Sequence, residues 1–145
     1  MLKDPYSNSP YTPSLHYFLS GIQTYDLEHT LGKKLRMYNP NIPSDREAII
    51  RNYILPLTMH HTHKHKHALF RILESAVKNH NYDFDALFET DYENEEESYC
   101  TVEWERREIE DPRAFFEDIY KLAKKVWAED LTKAESEKLK MTSAE

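Results

Sequence analysis

A mainly α-helical single domain, arranged as a helical bundle with room for one antiparallel hairpin at about 82–109, is the fold class the sequence predicts. Three observations carry this. The chain has 145 residues, enough for one hydrophobic core and too few for two. It has only two glycines, Gly21 and Gly32, so it is poorly supplied with the tight turns of a many-stranded sheet. Helix-start signals recur along it, and the apolar residues behind them fall at helical spacing.

Residues 1–12 hold prolines, serines and tyrosines and predict an extended arm; the globular domain is placed at 13–130 and a polar, partly frayed tail at 131–145. Thr12 and Pro13 are placed to start a short helix through Ile22. Thr24 is placed to cap a second, with Leu27, Leu31 and Leu35 as its buried stripe. Ser44 and Glu47 have the spacing of a capping box for a helix from Asp45 to Leu55, which Pro56 ends. A longer helix then spans Thr58 to Asn79, with Leu69, Ile72, Leu73, Ala76 and Val77 on its apolar face.

Between Tyr82 and Tyr92 the pattern alternates with period two, and Cys100, Val102 and Trp104 share a face after the acidic run ENEEE. A hairpin is the joint reading. A helix capped by Asp83 that buries Phe84, Leu87 and Phe88 competes with its first strand. Asp111 then caps and Pro112 opens a helix whose Phe115, Phe116, Ile119, Tyr120, Ala123, Val126 and Trp127 form an aromatic face. Thr132 and Glu135 match a capping box in the polar tail.

Composition narrows the function classes. Neither GxGxxG nor GxxxxGK[ST] occurs, which disfavours nucleotide-binding loops built on glycine. The single cysteine, Cys100, excludes an internal disulfide and a multi-cysteine zinc cage, and its acidic neighbours disfavour a reactive thiolate. No stretch approaches the roughly 20 apolar residues of a membrane helix, and the N-terminus lacks a signal-peptide pattern. The expectation is no membrane and a cytoplasmic setting.

Charge is unevenly placed. Residues 1–80 carry ten Lys and Arg against six Asp and Glu, a balance of +4, and hold all eight histidines; residues 81–145 carry nine against twenty, a balance of −11. Thirteen acids lie between Asp83 and Asp111. Carboxylates interleaved with aromatics suit a basic protein partner, since charge speeds encounter and rings supply burial. The surface this predicts is Asp91, Tyr92, Glu93, Glu95, Glu96, Glu97, Tyr99 and Trp104. It points to a non-catalytic binding module or inhibitor of the immunity-protein or nucleic-acid-mimic type. Direct nucleic-acid binding is disfavoured because the acidic half repels the same polyanion.

The run HHTHKHKH, residues 60–67, supports a rival class, a metal-binding protein or metal-dependent enzyme using zinc or another transition metal. On a helix turning about 100° per residue, His60, His63 and His67 form an exposed stripe, and His61 and His65 sit at the apolar edge. His61 with His65, or His63 with His67, has the spacing to share one ion, but a zinc centre needs three or four ligands. The question becomes whether folding brings a third ligand, such as His16, His29, His80 or a carboxylate, to His61 and His65. A third class is a structural subunit, for which a homo-oligomer is compatible with the tyrosine-rich arm.

Overall fold

The computed structural model describes residues 2–24, 27–88, 103–104 and 108–143, with side chains through Lys138. Six α-helices lie among them: α1 (His16–Leu19), α2 (Lys33–Leu35), α3 (Pro43–Ile49), α4 (His63–Lys78), α5 (Pro112–Val126) and α6 (Ala128–Ser143). Single π-helical or 3-10 turns extend the short ones, at Ser20–Ile22, Glu28–Gly32, Ile50–Ile54 and Leu55–Thr58. Among the described residues the only extended pairing is an isolated antiparallel bridge, Lys3 to Pro10. The mainly α, single-domain class holds.

The two long amphipathic helices form the centre. On α4, Leu69, Phe70, Leu73 and Ala76 are buried, and α5 answers with Phe115, Phe116, Ile119, Leu122 and Ala123. Phe70 stacks on Tyr120 at 5.2 Å between centroids. As the sequence predicts, Asp111 is the N-cap of α5, accepting from the Ala114 N–H at 3.1 Å, and Pro112 fills the first position. Val126 is the exception on that face and lies 51% exposed.

The first strand of the expected hairpin is replaced by a 3-10 turn at Asp85–Phe88. Phe84, Leu87 and Phe88 are buried at helical rather than alternating spacing, and the Asp83 carboxylate accepts from the Ala86 N–H at 3.3 Å. Phe84 and Phe88 pack on Phe116 at 5.2 and 6.0 Å, so an aromatic cluster overrides the period-two pattern. The acidic turn and second strand fall largely in 89–102 and 105–107, outside the described residues. Glu103 and Trp104 form no strand, although the Glu103 N–H donates to the Ile22 carbonyl at 2.8 Å.

Other boundaries move for local reasons. α3 begins at Pro43, without the Ser44–Glu47 box; Asp45 instead accepts from the Asn39 N–H at 2.9 Å. α4 begins five residues later than predicted, because Thr62 is its N-cap and the His65 imidazole takes the reciprocal place a glutamate usually fills. The final helix starts at Ala128, and its Leu131 and Ala134 pack toward the core side by contact with α4 and α5. Residues 2–11 double back, with the Asp4 N–H on Ser9 O at 2.8 Å and the Tyr11 N–H on Leu2 O at 2.9 Å.

Candidate functional site

The late start of α4 divides the histidine run. His60 is exposed in the turn before the helix, and His61 is held there by its N–H to the Thr58 carbonyl at 3.0 Å. His63 and His67 were expected in open water; they lie beneath α6. His63 Nε2 stands 2.7 Å from Glu137 Oε2, His67 Nε2 stands 2.6 Å from Glu135 Oε1, and Lys66 Nζ is 3.0 Å from Asp130 Oδ2. The basic face of α4 is thus matched by three acids of α6. Hydrogen bonding to the two imidazoles holds the Glu135 and Glu137 carboxyls below their ordinary range.

His61 and His65 are buried, at 8% and 6% exposure, with ring centroids 5.6 Å apart. His65 has both nitrogens engaged. Nε2 lies 2.5 Å from the Lys3 carbonyl oxygen, which only accepts, so Nε2 carries the proton and donates. Nδ1 then accepts, with Thr62 Oγ1 at 2.7 Å and the Thr62 N–H at 3.3 Å, while the His65 N–H donates to Thr62 Oγ1. A metal at His65 would have to displace either the arm or the helix cap. Among the described residues no group of three or more His, Cys, Asp or Glu side chains converges as a metal site. Rings, not ligands, surround the pair: Tyr11 is 4.9 Å from His65, and Tyr17, Tyr6 and Tyr11 are 5.4, 6.1 and 6.4 Å from His61.

Burial, reinforced by His65 and Lys66, lowers the His61 pKa. Its Nδ1 is buried without a hydrogen-bond partner, an uncommon state for a polar atom. Beside it is a cavity of about 300 Å³ that Asp4, Tyr6, Tyr11, His16, Tyr17 and His61 help to line. The sequence drew attention to His61 and missed Asp4 and the three tyrosines as its surroundings. Their signal was a tyrosine-rich, proline-rich arm, which says that rings are available but not where the arm lies.

Trp104, expected on an exposed partner surface, is 2% exposed and belongs to the core, so its ring is not offered to a partner. The other residues of that surface, Asp91, Tyr92, Glu93, Glu95, Glu96, Glu97 and Tyr99, lie outside the described residues, as does Cys100. The described residues on either side of Trp104 are firmly held. Arg36 pairs with Glu103 and Glu108, the latter at 2.6 Å, and also donates to the Glu103 carbonyl at 2.7 Å. The Asn41 amide donates to the Glu108 carbonyl and accepts from the Glu110 N–H, both at 2.9 Å.

Fold and site together define a small helical domain whose N-terminal arm closes over a buried histidine pair. Comparison with protein families, curated proteins and solved structures gives no match to this chain. No described helix is long and apolar enough to cross a membrane.

Proposed function

We propose that the chain is a non-catalytic protein-binding module or inhibitor, with a basic protein as its partner and the acidic stretch 89–97 as the contact. The observation that carries this is where that stretch is tethered. It holds six acids and no base, and it lies in the segment between two core residues, directly after Phe88 and with six residues between its end and Trp104. A stretch fixed at both ends loses less freedom on binding than a free tail does. Many other acids already have partners within the fold: Glu103 and Glu108 on Arg36, Asp118 on Arg46 at 2.6 Å, and three acids of α6 on α4. The six acids of 89–97, with no base among them, would steer a cationic surface. Immunity proteins and nucleic-acid mimics are the kinds of inhibitor that such a segment would suit, and the cytoplasm is the setting we assign.

The test is capture from the native cell at low salt, read by mass spectrometry, with the full chain as bait. Beside it run a Glu95→Lys/Glu96→Lys/Glu97→Lys variant and a control reversing Glu28, Glu110 and Glu129. A basic protein retained by the native chain and the control, lost from the 95–97 variant and eluted by salt supports the reading. The same proteins on all three baits overturn it.

A further inference from the structure

Four rings meet at the cavity beside the arm. Taking the His61 imidazole as its floor, the rings of Tyr6, Tyr11 and Tyr17 rise from it at 78°, 73° and 52°, with centroids 5.4 to 6.4 Å away. All four line the same space of about 300 Å³, and Asp4 lines it with them. That volume sits at the lower end of small-molecule sites. Tyrosine faces carry negative potential that attracts a cation, most strongly where water is excluded. Asp4 adds a full negative charge, close enough that it helps raise the phenol pKa of both Tyr11 and Tyr17.

His16, the other imidazole on the lining, is exposed to solvent, and neither His61 nor Lys66 opposes a cation. His61 resists protonation because it is buried, so the floor stays uncharged. Lys66, the fixed cation that acts on His61, is matched by Asp130 at 3.0 Å. A soft, weakly hydrated cation gains more from rings than a compact ammonium does, since less hydration is given up on entry.

We propose that this arm pocket binds a methylated ammonium group, carried either by a free small molecule or by a methylated lysine side chain. The residues involved are separate from 89–97, so either assignment can fail without the other.

The experiment is an NMR titration of the full chain with choline and, separately, with its neutral carbon isostere dimethylbutanol. Choline is expected to bind roughly tenfold more tightly than the isostere and to move the resonances of Tyr6, Tyr11, Tyr17 and His61. Asp4→Asn keeps an oxygen for the Tyr6 N–H, and Tyr6→Leu alters a largely exposed ring, so both variants should fold. Each should weaken choline by about threefold or more. Peptides bearing trimethyl-lysine or plain lysine identify the source. A trimethyl-lysine peptide that binds more tightly than choline assigns the pocket to a protein side chain, and one that binds no better assigns it to a free molecule. Equal affinity for choline and dimethylbutanol, or no response of the four rings to choline, overturns the proposal.

Discussion

His67 Nε2 lies 2.6 Å from Glu135 Oε1, across a gap of 68 residues in sequence, and with the His63–Glu137 pair it sets α6 on α4. Among the described side chains of α6, Leu131 and Ala134 are the apolar ones turned inward. The docking of this helix therefore leans on charge more than that of α5 does.

Acid should release α6 first. The Glu135 and Glu137 pKa values are depressed below the ordinary 4.5, chiefly by their bonds to His67 and His63. A depressed carboxyl stabilises the folded state above its ordinary pKa and ceases to do so as pH falls through the folded value. The Leu131 and Ala134 methyl resonances should lose their contacts to α4 in that window. A Glu135→Gln/Glu137→Gln variant should show weakened contacts already at neutral pH. Contacts that persist in both conditions would mean that apolar packing alone holds α6.

Arg113 should be among the costlier surface-side residues to lose. Its guanidinium donates to the carbonyls of Val77, Asn79 and Tyr82 at 3.1, 2.9 and 3.1 Å and sits 4.7 Å over the Phe84 ring. It satisfies the C-terminal end of α4 and fixes the turn after it. Arg113→Ala should cost about 2 to 3 kcal/mol in urea unfolding. Arg113→Lys should recover less than half, because one ammonium cannot span three carbonyls and stack on a ring.

Gly21 lies where a side chain has no space. A Cβ there would come within 1.8 Å of the Tyr53 backbone oxygen, and backbone cannot swing aside as a side-chain tip can. Gly21→Ala should lower stability by about 3 kcal/mol, seen as a shifted denaturant midpoint. An unchanged midpoint would contradict the close packing of the Ser20–Ile22 turn on the Ile50–Ile54 turn.

Elements were legible in the sequence to the extent that their signals are local. Asp111, Pro112 and the aromatic face of α5 could be read because cap and stripe lie within one helix. The start of α4 could not, since the Thr62 box closes with His65, a residue the usual Ser/Thr-x-x-Glu/Gln pattern omits. Phe84 and Phe88 satisfied two periods at once over a short run, and their packing on α5, with Leu87 buried beside them, decides for the helical one. His63 and His67 read as exposed because the helix that covers them is itself polar. The surroundings of His61 depend on where an arm some 50 residues earlier comes to rest, and no spacing rule reaches that far.

Above all, the fold separates the histidines of 60–67 by role, with His63 and His67 holding α6 and His61 and His65 holding the arm. Imidazole nitrogen NMR across pH, with and without one equivalent of zinc, tests this division directly. His65 should carry its proton on Nε2, His61 should titrate below the ordinary 6.5, and zinc should leave both rings unchanged. If one equivalent of zinc instead shifts the ring nitrogens of His61 and His65 together, the pair is a metal site and the division of roles is wrong.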